Sequence, residues 1–230
     1  MSYYYGPSTV KNGLVLCLDA ANPKSYISGS NTWRDISSSN LTGELVNGVG
    51  YSSTNKGSLT FDGTNDFVQI PDNPVFNFGS NDFTFNITVK PCKNDVVIYA
   101  QSNQGGYAPF LLLYNTSWTA FSYWASSTAY SWNILGTDLQ TSGLLNVWTD
   151  LTLTRNGNVW TSYKDGQFVS SKTSAGTLYD SSDSMKIGAR TGSYNNYTSG
   201  SISSVRIYNR ALSASEVLQN YNATKGRYNL

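Results

Sequence analysis

Residues 201–221 read SISSVRIYNRALSASEVLQNY. The stretch begins as a strand. Val205 and Ile207 fall on one face and Arg206 and Tyr208 on the other, the alternation of a ribbon that buries one side. After Arg210-Ala211-Leu212 the pattern changes. Ser213 followed three residues later by Glu216 is a capping box, with Ser213 at the N-cap and Glu216 at N3. Leu212 before the cap and Val217 at N4 complete a hydrophobic staple. The sequence thus specifies a strand, a tight corner and one short helix, whose cap is worth about 1–2 kcal/mol. With its carboxylate occupied by backbone capping, Glu216 is expected to be structural.

Working outward from that stretch, the rest of the chain reads as short strands and turns. LVLCL (14–18) is a buried strand, NPKSYISGSN a loop, and LTGELV, SLTF and DFVQI are further strands. FTFNITV places Phe83, Phe85, Ile87 and Val89 on one face, and Pro91 ends the run. DVVIYA, PFLLLY, TAFSYWAS and SWNIL continue the strand pattern. Two hairpins carry turn chemistry. Asn156-Gly157 and Asp165-Gly166 each stand between β-rich runs and suit type I′ turns, which need positive φ. SMKIGA and SISSVRIY close the series. Over a dozen short strands and no long helix predict an all-β, two-sheet antiparallel jelly-roll sandwich with one short C-terminal helix. No linker divides residues 13–212, and no repeat of blade length suggests a propeller.

Composition narrows the chemistry. The chain has 230 residues, a net charge of +1 and only 13% charged residues, with no basic run, so a nucleic-acid footprint is absent. There is no histidine, which excludes His-dependent triads and most zinc sites. Glutamate occurs only at Glu44 and Glu216. Cys17 and Cys92 make no disulfide framework. A buried thiol at Cys17 is the preferred reading, and a Cys17–Cys92 bridge is the alternative. The N-terminus lacks the pattern of a secretory signal, and no apolar run approaches the ~20 residues of a membrane span, so no membrane insertion is expected. The sequons at Asn40, Asn86, Asn115, Asn196 and Asn222 follow from abundant Asn, Ser and Thr.

The ordered pieces GLVLCLDAANPKSY, GSLTFDGTNDFVQIP, FTFNITVKP, WTDLTLTRNGN with YKDG, KIGAR and GSISSVRIYNRALSASEVLQNY resemble concanavalin A-like, laminin-G-type jelly rolls. The resemblance covers about residues 12–222. It implies the same fold, one that hosts lectins, adhesive modules and hydrolases alike. It also admits a rim Ca²⁺, for which Asp19, Asp62 and Asp66 are the available donors. No Asp-rich loop with fixed spacing exists, so no metal or cofactor is assigned. The segments LVLCLDAANPKSY and LSASEVLQNYNATKGRYNL are in addition similar to virion proteins of tailed bacteriophages, which implies a capsid decoration protein or a tail or fibre module.

The Glu-x-Asp-x-x-Glu strand of jelly-roll glucanases is absent. Asp62 and Asp66 sit in FDGTNDF at turn spacing, Asp150 and Asp165 lie in or beside hairpins, and Asp138 stands alone. No catalytic residue is assigned. Two stretches have binding chemistry. In residues 114–135, strand alternation places Phe121 and Tyr123 on one face and Trp124 on the other, so Trp124 and Tyr130 are candidate exposed platforms for sugar rings. In residues 189–200, Tyr194, Asn195, Asn196 and Tyr197 form a loop tip with rigid area and adaptable hydrogen bonds. Simple core filling and an ordinary polar loop are the bland alternatives. Tyr3, Tyr4 and Tyr5 are candidate assembly contacts, or pack on their own domain.

The expected organisation is an N-terminal docking arm (1–12), a jelly-roll domain (13–222) and a C-terminal tail (223–230). The expected role is a non-catalytic virion surface protein that binds cell-surface glycans or other virion proteins. Such a protein is made in the host cytoplasm, or is otherwise extracellular, and a homo-oligomer is allowed. The alternatives are a purely structural assembly protein, or a glycan hydrolase with an unusual carboxylate pair.

Overall fold

The computed structural model describes residues 7–93, 96–100, 109–115, 120–128, 133–135, 140–190 and 196–228. Its strands in chain order are β1 (Leu14–Asp19), β2 (Thr32–Arg34), β3 (Thr42–Val46), β4 (Gly50–Ser52), β5 (Ser58–Asp62) and β6 (Phe67–Ile70). Then come β7 (Phe83–Pro91), β8 (Val96–Ala100), β9 (Phe110–Asn115), β10 (Ala120–Ala125), β11 (Gln140–Ser142) and β12 (Thr149–Asn156). The last are β13 (Val159–Lys164), β14 (Gln167–Thr173), β15 (Met185–Ile187), β16 (Ala189–Arg190), β17 (Asn196–Tyr197) and β18 (Ser199–Tyr208), followed by helix α1 (Ala214–Thr224).

These strands form two antiparallel eight-stranded sheets. The first runs β14-β13-β12-β7-β18-β5-β4, and β1 joins it by pairing with β18. The long strand β18 pairs with β7 along one edge, while β5 and β1 share the other edge in succession. The second sheet runs β11-β10-β9-β8-β15-β6-β3-β2, and β16-β17 is a separate hairpin. The expected sandwich with one short helix is what the chain forms.

Between the sheets lies one apolar core. Phe83, Phe85, Ile87 and Val89 of β7 meet Leu151, Leu153, Val205 and Ile207 of their own sheet and Val68, Ile70, Tyr123, Met185 and Ile187 of the other. Phe78 stacks on Phe83 with centroids 4.3 Å apart, and Trp160 meets Phe83 edge-on at 5.7 Å. Rings in these geometries add to the area they bury.

Helix α1 starts where its sequence specifies. Ser213 Oγ accepts from Glu216 N, and Ser213 N donates to Glu216 Oε2 (2.9 Å). Leu212 and Val217 are both buried in a second apolar cluster, with Val10, Leu14, Cys17, Tyr163 and Tyr208. Arg210 adds a two-pronged pair, with Nη1 3.0 Å and Nη2 2.6 Å from the Glu216 carboxylate. Thr84 Oγ1 donates to Arg210 O and accepts from Leu212 N, which pins the corner to β7. The helix is therefore scaffold. It lies over the outer face of the first sheet and clamps the chain ends there. Val10 N donates to Asn220 Oδ1, and Asn220 Nδ2 donates to the Tyr208 hydroxyl.

The Arg210 pair and the Ser213 cap hold Glu216 down at about 2. A depressed carboxylate stabilises the fold above its unfolded pKa, and that contribution is lost as pH falls through about 2. Glu216→Ala should cost about 1–2 kcal/mol at neutral pH, read as a loss of about 3–6 °C in melting temperature, and the gap should close in strong acid.

Several local expectations change. The first hairpin turns on Gly157-Asn158, because Asn156 still pairs with Val159. Only Gly157 has positive φ (57°) there, the pattern of a type II′ turn rather than I′. The Asp165-Gly166 turn keeps its expected form, with φ of 52° and 74°. A side chain at Gly166 would also meet Leu218 and Tyr221 of α1 at 3.0–3.1 Å. Of SWNIL, the described residues 133–135 make only an isolated bridge between Leu135 and Ala125. Residues 223–228, expected as a tail, complete the helix and a 3-10 turn, with Arg227 bonded to Asp19 and Tyr228 to Ser203. Of the expected arm, Val10 is buried, while Tyr3, Tyr4 and Tyr5 lie outside the described residues. Cys17 and Cys92 are both free thiols, one buried and one exposed, so the alternative of a bridge does not hold.

Candidate functional site

Of the binding candidates, Trp124 lies in β10 of the second sheet. The register of that sheet defines one continuous row across seven strands. Thr32 pairs with Glu44, Glu44 with Gln69, and Gln69 with Lys186. Lys186 pairs with Ala100, Ala100 with Leu111, and Leu111 with Trp124. Residues paired across antiparallel strands share a face. The neighbouring row contains Val68, Ile187 and Tyr123, all fully buried core side chains, so the Trp124–Thr32 row faces away from the core. Six strand spacings make it about 29 Å long.

Trp124 is half-buried rather than exposed, on the face opposite Tyr123 as alternation requires. Glu44 is exposed, and Gln69, Thr32 and Lys186 are half-buried. At the Glu44 end the row opens into a hollow of about 290 Å³ lined by Asn31, Thr32, Thr42, Glu44, Gln69 and Pro71. A carboxylate, two amides and two hydroxyls thus surround one small space.

The other end is electrostatically structured. Burial pushes the Lys186 ammonium pKa down, and neighbouring Asp183 opposes that shift. Burial and then Asp183 raise the Tyr179 phenol, against the pull of Arg190. Asp183 therefore lies within reach of Lys186 and Tyr179. The segment that carries Tyr179 and Asp183 passes from one sheet to the other, anchored by Leu178 N to Gly79 O (2.9 Å) and Tyr179 N to Ser126 O (3.3 Å).

The described part of the second candidate stretch lies beside β8. Beyond Gly188, β15 continues into β16, whose Ala189 and Arg190 pair with Tyr197 and Asn196. Both β16 and β17 pack on β8, a strand of the row. Asn196 and Tyr197 are thus half-buried strand residues rather than loop-tip residues. Tyr130, Tyr194 and Asn195 lie outside the described residues. Sequence reasoning missed Thr32, Gln69 and Lys186 and gave Glu44 no binding role. These four are separated by up to 154 positions and meet only through strand register.

Other polar groups are committed to the fold. A larger cleft of about 640 Å³ lies between residues 74–82 and the Asn209-Arg210 corner. There Arg210 is held by Glu216, Asp82 accepts from Gly157 N (2.6 Å), and Asn77 donates to Asp180 (3.0 Å). Its chemistry is spent on structure, so the row is the better candidate although its hollow is smaller. Asp62 accepts from Thr64 N and Asp66 from Asp62 N, within one turn. Asp19 is bound to Arg227 at 2.8 Å. Among the described residues no three His, Cys, Asp or Glu side chains converge as a metal-ligand set.

Two facing antiparallel sheets, with a polar row ending in tryptophan on one outer face, define a lectin-like jelly-roll module. Residues 62–218 match a laminin G family model of the concanavalin A-like lectin/glucanases superfamily, and the chain belongs to that superfamily. Similar solved structures include the binding domain of Paraclostridial Mosquitocidal Protein 1, 17% identical with a TM-score of 0.70, matched over 92% of this chain and 52% of that one. A structure of botulinum neurotoxin type C, whose cell entry is dependent upon interaction with two ganglioside molecules, is 14% identical with a TM-score of 0.72, over 92% of this chain and 51% of that one. A Trypanosoma rangeli sialidase mutant displaying trans-sialidase activity is 18% identical with a TM-score of 0.66, over 94% and 33%. This chain spans about half the length of the toxin structures and a third of the sialidase, and at these identities the likeness is one of fold. No curated protein sequence matches the chain.

Proposed function

We propose that this chain is a non-catalytic carbohydrate-recognition module carried on a virion surface, with the Trp124–Lys186–Gln69–Glu44 row as its glycan-binding face. The observation behind the ligand class is the register that places these four side chains on one outward face. A pyranose is apolar on one side and hydroxylated at its edge. The Trp124 indole offers area to the first. Gln69 can donate and accept at neighbouring hydroxyls, Glu44 accepts, and Lys186 donates. Membership of a lectin-containing superfamily supports the reading, as does the ganglioside interaction of a toxin with the same fold.

The virion setting is supported by the likeness of the two terminal segments to tailed-bacteriophage proteins. There a weak single-site affinity, about −4 kcal/mol, would suffice, because repetition on a particle raises avidity by about 10²–10⁴. The absence of catalysis is supported by carboxylate placement. Glycoside hydrolysis needs two carboxyl groups about 5–9.5 Å apart across the bond. The row carries one, Glu44.

A glycan array with the purified chain tests this reading. Trp124→Ala should weaken a hit by about 5- to 30-fold, the value of one ring contact, with the melting temperature as the folding control. Release of new reducing ends from a bacterial polysaccharide would overturn the non-catalytic assignment. One observation favours the assembly reading. Edge strand β14 leaves Phe168 62% and the adjacent Val169 36% exposed, on a sheet edge of the kind that pairs with other chains. An empty array together with tight binding to capsids would select it.

A further inference from the structure

On the opposite side of the sandwich, the outer face of the first sheet holds a second built site. Between β1, β18, the N-terminal segment and α1 lies a cavity of about 260 Å³. Three cations line it, Lys11, Arg206 and Arg227, against one carboxylate, Asp19. Arg227 takes both oxygens of that carboxylate, at 2.8 and 3.0 Å, while Arg206 Nη2 stands 4.0 Å from it.

Arg206 is only 1% exposed. Its Nη1 donates to Asn86 Oδ1 (3.1 Å) and Ser204 Oγ (3.2 Å). Its Nε–H is buried and meets no acceptor. A buried guanidinium N–H without a partner costs free energy. Two further carboxylates stand near, Asp150 beside Arg206 and Asp35 beside Cys17, each hydrogen-bonded to neutral donors. Asp150 accepts from Asn86 and Thr88, and Asp35 accepts from Cys17 N, Ser37 and Leu41 N.

We infer that the cavity beneath α1 binds a small oxyanion, a carboxylate or a phosphate- or sulfate-type group, between Lys11 and Arg227 against the wall that Arg206 forms. The volume admits a group of a few heavy atoms rather than a whole oligosaccharide. The site is independent of the glycan-binding row, because it lies across the other sheet.

The test follows the Arg206 Nε–H resonance in ¹H–¹⁵N spectra of the full chain. Sodium sulfate, inorganic phosphate and sodium glucuronate are titrated in turn, with ionic strength held constant by sodium chloride. The expected result is a saturable shift of that resonance together with a rise in melting temperature. A response to sulfate or phosphate alone assigns a tetrahedral anion, and a response to glucuronate alone assigns a carboxylate. Lys11→Gln, at an exposed position, should raise the half-saturating concentration about two- to fivefold without loss of folding. A linear, non-saturating response to all three anions, or a half-saturation unchanged in Lys11→Gln, overturns the site.

Discussion

Arg155→Met should destabilise the chain by about 3–5 kcal/mol, a fall of about 10 °C or more in melting temperature, and should weaken glycan binding as well. Arg155 is 1% exposed and lies in β12. Its guanidinium donates to three carbonyls, Gly157 O (3.0 Å), Gly79 O (2.8 Å) and Gly176 O (2.5 Å), and covers the Trp160 ring at 4.9 Å. The three carbonyls belong to a hairpin turn, the loop before β7, and the segment that crosses to the second sheet. Methionine fills a similar volume but donates nothing, and a hydrogen bond from a charged group is worth about 1.5–3 kcal/mol. The Gly176 contact links this loss to the proposed binding face. The crossing segment leads through Tyr179 and Asp183 into β15 and Lys186. Urea denaturation reads the stability term. Affinity for an array hit, measured well below the new melting temperature, reads the second term. A variant as stable as the wild type would show that Arg155 ties nothing together.

Stability should fall by about 2–3 kcal/mol as pH rises from about 4 to 7, and Asp150→Asn should remove most of that slope. Asp150 is 2% exposed on β12, beneath α1. It accepts from Asn86 Nδ2 (2.8 Å) and Thr88 Oγ1 (2.9 Å). Burial outweighs these bonds and the nearby Arg206, and pushes its pKa up to about 6. A carboxyl whose pKa is raised on folding favours the native state below its unfolded pKa, near 3.8, and loses that advantage as pH rises through about 6. Burial raises Asp66 and Asp165 in the same direction. Glu216 acts oppositely, below its ordinary 4.5. Maximum stability is therefore expected at roughly pH 4–5, on the acid side of the usual range. Asparagine fits the network, since its oxygen can accept from Asn86 while its amide donates to Thr88, whose hydroxyl already meets Ser204 at 3.1 Å. Denaturation midpoints across pH check both statements, and an equal slope in the variant would refute the assignment to Asp150.

Most of the proposed binding face could not be read from the sequence. Trp124 was legible because alternation along one strand opposes it to Tyr123, and both lie in one run of six residues. Glu44, Gln69 and Lys186 carry no local signal. Each sits in a short strand of ordinary composition, and their adjacency is a property of pairing between β3, β6 and β15. Sequence proximity also misled at Asn196 and Tyr197, where a Gly- and Ser-rich context suggested a loop but tertiary pairing with β16 made a strand.

The sequence alone determined the features whose causes lie within a few residues: the capped helix at Ser213, the positive-φ turn at Asp165-Gly166, and the alternation of Phe83, Phe85, Ile87 and Val89 into a core face. Only the tertiary structure decided what covers the other face of that strand. Thr84, Asn86 and Thr88, polar and on the face opposite that core face, are each no more than 1% exposed, because α1 and the chain ends close over the first sheet. The physical reason is range. Caps, turns and alternation are set by backbone geometry over one to four residues. The burial of Asp150 and Arg206, and the row from Trp124 to Thr32, depend on which distant strands meet and in what register.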